Sequence, residues 1–192
     1  MGAKGLAGNP LTELLERIAA DTPAPGGGPA AAWSCALAAA RVEMVSAVEL
    51  RRQATAAATE RAQRAKALRG RALELAELDV VAYTRVLEVE RRRDEPGHGG
   101  RMRAALSDAA EPPVELARVA AEVTELAADA ATGARGGVRG EAVAAAVLAA
   151  AAVRATATLA EINLGGAPGD RRLAELARLD GITAAALRRA DP

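Results

Sequence analysis

The chain has 192 residues, with 25 Lys plus Arg against 25 Asp plus Glu and a formal net charge of zero. That length makes one domain able to bury roughly 70% of its unfolded-chain surface without a disulfide or structural metal, and the neutral balance gives no broad footprint for nucleic acid. Trp33 and Tyr83 are the only aromatic residues, Cys35 the only cysteine and His98 the only histidine, which excludes a base-stacking platform, an internal disulfide, every Cys/His zinc pattern and HExxH.

Alanine supplies 53 of the residues. It is the best helix former and a poor strand residue, and no segment alternates Val, Ile or Thr over a strand length. The expected fold is all-α: a single-domain bundle of long antiparallel helices across 1–192, with 1–8 as a disordered tail. Asn9 or Thr12 caps a first short helix over 11–20. Asp21 to Gly28 breaks it, and Pro29, suited to a first helical position because it lacks an N–H, opens a second helix to about 54. A very long helix follows over 55–93, with Gly70 as its weak point, and a glycine-containing loop at 94–100 ends it. The pattern continues with a helix over 101–110, one opened by Pro112 and Pro113 to about 131, a loop over 133–140, an Ala-rich helix over 141–163 and an amphipathic helix over 170–189. Residues 1–10 hold no apolar stretch of signal-peptide length. The most apolar run, 142–153, is shorter than the about 20 residues of a membrane span. The expectation is a cytoplasmic protein with no membrane and no nucleic-acid partner.

Two acids stand on apolar stripes. At about 100° per residue, Leu68, Ala72, Leu75, Tyr83 and Val86 fall within about 40° of Asp79. Ala32, Ala36, Ala39, Ala47 and Leu50 fall equally close to Glu43. Such an acid either pairs with an Arg of a neighbouring helix or is a desolvated carboxylate with a raised pKa, suited to proton transfer. Asp79 and Glu43 are the candidate catalytic residues. Glu141 opens the Ala-rich helix, where the helix dipole alone favours an acid.

Gly26-Gly27-Gly28 before a helix allows backbone N–H groups to converge on an anion or a polar ring edge. No strand precedes it and no GK[ST] follows, so neither a dinucleotide fingerprint nor a P-loop fits. The wider segment Asp21-Thr22-Pro23-Ala24-Pro25-Gly26-Gly27-Gly28, followed by a small-residue helix with Met44-Val45, resembles the cyclodeaminase/cyclohydrolase family. That family includes the formiminotetrahydrofolate cyclodeaminase domain and the bacterial methenyltetrahydrofolate cyclohydrolases. The resemblance continues at Asp79-Val80-Val81-Ala82-Tyr83, at Pro113 and at Ile162-Asn163-Leu164, and so covers nearly the whole chain. It departs where the family has Ser after the glycines (here Pro29), Ser-Asp opening the Ala-rich helix (here Gly140-Glu141), Asn four residues before Asn163 (here Leu159), a Gly near Arg51-Arg52, and a small residue at Glu43.

The resemblance implies a homodimeric helical enzyme acting on a folate one-carbon adduct, methenyl- or formimino-tetrahydrofolate, by carboxylate acid/base chemistry with no metal and no bound cofactor. Asp79 is then the general base or acid, with Glu43 as a second acid. The substrate-binding set is Pro25, Gly26, Gly27, Gly28, Trp33, Tyr83, Glu141 and Asn163, and Arg51 and Arg52 are placed to meet a glutamate tail. The departures leave two alternatives: a remodelled enzyme working by cyclisation, elimination or rearrangement on a non-folate small molecule of secondary metabolism, and a non-catalytic helical binding protein.

Overall fold

Seven helices and no strand make up the described residues of the computed structural model: α1 (Leu11–Ala19), α2 (Gly27–Arg52), α3 (Ala56–Glu90), α4 (His98–Ala109), α5 (Glu111–Gly133), α6 (Gly137–Asn163) and α7 (Arg171–Ala190). The structure describes residue 8 and residues 10–165 and 167–191; the tail expected at 1–8 lies, Gly8 aside, outside them.

The core is built from small side chains, so the helices approach closely. Its largest fully buried residues include Leu176 and the valines 42, 45, 114, 123 and 153, and no aromatic ring is fully buried. The buried hydroxyls are satisfied locally. Thr124 Oγ1 donates to Ala120 O at 2.8 Å, and Thr156 Oγ1 to Ala152 O at 2.8 Å. Ser46 Oγ instead accepts from Arg61 Nε at 2.9 Å across two helices.

Ion pairs between helices fix their directions. Arg61–Glu49 and Arg69–Glu43 set α3 antiparallel to α2. Arg64–Glu122 and Arg71–Glu115 set α5 antiparallel to α3. Arg41–Glu141 runs α6 against α2; Arg118–Glu175 and Arg189–Asp129 lay α7 parallel to α5. One end of the bundle therefore gathers the start of α2, the distal part of α3, the start of α5 and the end of α6.

Helix ends follow the chemistry, with four corrections to the expected starts: α1 has Pro10 at its N-cap position with no side-chain cap, so Thr12 does not cap it, and Asn9 lies outside the described residues. Thr55 caps α3 through its hydroxyl, which accepts from Ala58 N at 3.1 Å. The helix α2 starts at Gly27, two residues before Pro29. Pro29 thus stands third in the helix, which the first turn permits because its N–H groups have no intrahelical partners. The glycines expected in loops are taken into first turns, at His98-Gly99-Gly100 of α4 and Gly137 to Gly140 of α6. Glycine's cost of about 1 kcal/mol per helical residue is overridden there by docking of the remaining turns.

Both α2 and α6 are long and apolar enough, by length and composition, to cross a membrane. The strictly apolar run 142–153 is only part of α6, whose flanking turns stay apolar apart from isolated charges. Both helices lie at the centre of the bundle and pack on each other and on α5, which an alanine-rich core helix does equally well.

Candidate active site

The loop before α2 carries Pro23 and Ala24, and Gly26 is the N-cap position of that helix. With Gly27 and Gly28 they wall one side of a cavity of about 240 Å³. Opposite stand Asp79, Val80 and Tyr83 of α3, Pro113 of α5, and Leu159, Ile162 and Asn163 of α6. Four segments far apart in sequence thus meet at one end of the bundle, around a single carboxylate.

Asp79 lies against Gly28. A Cβ placed on Gly28 would fall 2.3 Å from the Asp79 carboxyl carbon and from both carboxylate oxygens. Among the described residues Asp79 makes no hydrogen bond and no ion pair. Burial without a compensating partner disfavours the charged form and pushes its pKa up to about 6. The Arg-paired alternative for Asp79 is thereby set aside, and the group titrates close to neutrality, where a proton-transfer residue is most useful.

Around it, Asn163 is anchored by its side-chain amide, which donates to Ala109 O at 3.1 Å. Tyr83 is about one-third exposed at the rim. Gly27 admits Leu159: a Cβ on Gly27 would lie 3.3 Å from the Leu159 side chain. The structure therefore brings together Gly26, Gly27, Gly28, Asp79, Tyr83 and Asn163 of the expected set. It adds Pro23, Ala24, Val80, Pro113, Leu159 and Ile162, each within or beside a quoted motif but unassigned there.

The other expected residues lie elsewhere. Glu43 stands 15 residues beyond Gly28 on α2, about 22 Å along the axis, and its carboxylate is held by Arg69 Nε at 2.5 Å. Glu141 is near the start of α6, at the opposite end of the bundle from Asn163, and pairs with Arg41. Arg51 and Arg52 end α2 and are exposed, too far along it to meet a ligand held at Gly28. Trp33 packs on the core with its Nε1 buried and unpartnered, and it does not line the cavity. Pro25 is buried behind the wall, between Ala24 and Gly26.

A larger open groove of about 650 Å³ runs between α3 and α5. Arg61 pairs there with Glu49, Arg64 with Glu122 and Asp129 with Arg189, and Glu60 is exposed to solvent, so the groove lacks a desolvated acid of the kind that marks the Asp79 cavity. No cluster of His, Cys, Asp and Glu among the described residues is arranged to hold a metal ion.

An antiparallel all-helical bundle with an acid-bearing cavity at one end is the class of protein these features define. The formiminotransferase-cyclodeaminase family model matches residues 10–178, and the chain belongs to that family. Its fold is that of the formiminotetrahydrofolate cyclodeaminase of Thermotoga maritima, whose crystal structure is similar with a TM-score of 0.84 at 20% identity, over 96% of this chain and 95% of that one. No curated protein matches the chain.

Proposed function

We propose that the protein is a cyclodeaminase- or cyclohydrolase-type enzyme acting on a folate one-carbon adduct, with Asp79 as the proton-transfer group. The observation that carries the reading is the unpartnered Asp79 carboxylate in the cavity, its pKa raised to about 6 by burial. Family membership supports the substrate class.

The chemistry needs little else. In hydrolysis, water adds to the amidinium carbon of a methenyl adduct. The Asp79 carboxylate takes the water's proton and returns it to the ring nitrogen as the carbon–nitrogen bond breaks, while the hydroxyl on the carbon gives its proton to solvent and leaves a formyl group. In cyclodeamination, a folate nitrogen attacks the formimino carbon and its proton passes to the formimino nitrogen; a second proton, from Asp79, lets that nitrogen leave as ammonia from the methenyl product. Backbone groups of Gly26 to Gly28 cradle the ring edge, and Asn163, fixed to Ala109, orients it. Apolar walls at Val80 and Pro113 limit water around the carboxylate. We place the enzyme in the cytoplasm and infer a homodimer. Leu37 and Met44 on α2 and Val147 and Leu148 on the adjacent α6 leave apolar surface exposed, which a second copy would cover.

A second reading is favoured by Leu159. Its hydrocarbon side chain occupies the wall against Gly27, where a polar group could hold a pterin edge. This suits a remodelled pocket for a non-folate small molecule. The deciding experiment supplies methenyl- and formimino-tetrahydrofolate to the wild type and to Asp79→Asn. Turnover by the wild type alone, as formyl product or released ammonia, supports the folate reading. No turnover, with no rise in melting temperature on adding folates, overturns it. Sedimentation as a monomer at micromolar concentration would overturn the dimer.

A further inference from the structure

We propose that Gly28 is a positioning residue for Asp79: the space where any other residue would carry a side chain is occupied by the Asp79 carboxylate, and the glycine is there to seat the acid. This rests on the reading of Asp79 as the proton-transfer group and deepens it, because it changes what the glycine run does. Backbone flexibility does not account for Gly28. It lies in the first turn of α2, and its φ is not positive; among the described residues positive values belong to Gly97 and Gly136. The backbone would accept alanine there, and alanine is ordinarily the better helix former.

Contact does account for it. A Cβ on Gly28 would lie 2.3 Å from three atoms of the Asp79 carboxyl group at once, a separation no relaxation of a few tenths of an ångström relieves. Asp79 is in mid-α3, so its backbone cannot retreat without disturbing a helix whose neighbours Leu75 and Ala76 are core residues. The acid must turn away from α2, toward solvent. Gly27, one residue earlier, gives the contrast. A Cβ there would meet the movable end of Leu159 at 3.3 Å, a contact a rotamer change relieves. Consecutive glycines thus seat opposite walls of one cavity, and of the two only Gly28 lies against the carboxylate and sets where it sits.

The test uses the full chain with Gly28→Ala, Gly27→Ala, Asp79→Ala and the double variant Gly28→Ala/Asp79→Ala. Carboxyl-carbon NMR follows the titration of Asp79, and urea unfolding follows stability. The expected result is that Gly28→Ala returns the Asp79 titration toward the ordinary aspartate range, while Gly27→Ala leaves it in place. In unfolding, Gly28→Ala lowers the midpoint of the wild type but not of Asp79→Ala, where the Cβ has room. On a folate adduct that the wild type turns over, Gly28→Ala loses on the order of 10²-fold in kcat with KM little changed, and the pH dependence of kcat moves with the titration. If Gly28→Ala fails to fold, a double variant that folds and is as stable as Asp79→Ala supports the seat; a double variant that also fails to fold, while Asp79→Ala folds, overturns it. An unchanged Asp79 titration in folded Gly28→Ala also overturns it. If the wild type turns over no folate adduct, the assigned reaction falls, and the titration and unfolding arms still decide the role of Gly28.

Discussion

Arg69 grips both carboxylate oxygens of Glu43 across the α2–α3 contact, Nε to Oε1 at 2.5 Å and Nη2 to Oε2 at 3.3 Å. Both side chains keep part of their surface in water, 37% for Arg69 and 24% for Glu43. The pair ties together two helices well away from the cavity. Glu43 and Asp79 occupy equivalent places on the apolar stripes of their helices, yet one is neutralised by an arginine and the other is not.

Glu43→Gln should therefore act on stability and not on chemistry. A pair with this much solvent contact contributes about 1 kcal/mol at most, so the melting temperature should fall by a few degrees while turnover and the Asp79 titration stay as in the wild type. Thermal unfolding alongside a rate assay checks this. A normal melting point with lost turnover would return Glu43 to the reaction.

Asp79→Asn should make the protein more stable near pH 7. The folded-state pKa of Asp79, about 6, lies above its ordinary value of 3.8, so between those values the folded state binds more protons than the unfolded one. Stability then falls as pH rises through that window, by about 3 kcal/mol in full. Asparagine carries no charge to desolvate, so the variant should match the wild type below pH 4 and exceed it above pH 6. Urea unfolding from pH 4 to pH 7 measures the difference. Asp170 works in the opposite sense: its hydrogen bonds to Arg172 hold it at about 2, so its contribution is lost only as pH falls below about 4, outside this window.

The all-helical fold was legible because alanine content and periodicity act locally, and each of the seven expected helices is present. Helix starts were less legible. Gly27, Gly99 and Gly137 are poor helix formers whose inclusion is decided by packing of residues further along. The site divides the same way. The run Gly26 to Gly28, Asp79 and Asn163 could be found because motif chemistry and the helical wheel pointed to them. Glu43 gave an equally strong wheel signal and proved to be an ion-pair partner, since a wheel reports which face a residue occupies but not which arginine faces it; Glu141, expected to open its helix, stands in the second turn of α6 and is likewise paired. That Gly28 and Asp79 touch depends on the antiparallel register of α2 and α3, set by Arg61–Glu49 and Arg69–Glu43, which no local pattern reveals.

Leu159→Asn should strengthen folate binding. Leu159 is part-buried in the cavity wall and packs on Gly27, and it offers a ring edge no hydrogen bond. An asparagine there can supply one net hydrogen bond of about 1 kcal/mol, roughly fivefold in affinity, with a small fall in melting temperature from the lost Gly27 contact. Thermal shift with a non-reactive folate reads the affinity. Weaker binding by Leu159→Asn would show that the hydrocarbon itself contacts the folate and would remove Leu159 as support for the remodelled-pocket reading.

The pH dependence of kcat should reveal which reaction the cavity runs. For hydrolysis Asp79 must be ionised to take the proton of water, so the rate should fall as pH drops through about 6, the bound-state value differing as substrate changes the burial of the group. For cyclodeamination the same group must hold a proton for the departing nitrogen, so the rate should fall as pH rises through that value. One titration thus gives opposite limbs for the two chemistries, and rate measurements on methenyl- and formimino-tetrahydrofolate between pH 4.5 and about 8 separate them. Asp79→Asn should abolish the limb and lower the rate by on the order of 10²–10⁴-fold with ligand binding largely kept. A limb that survives in Asp79→Asn would assign proton transfer to another group, and full-rate turnover by that variant would remove Asp79 from the chemistry altogether.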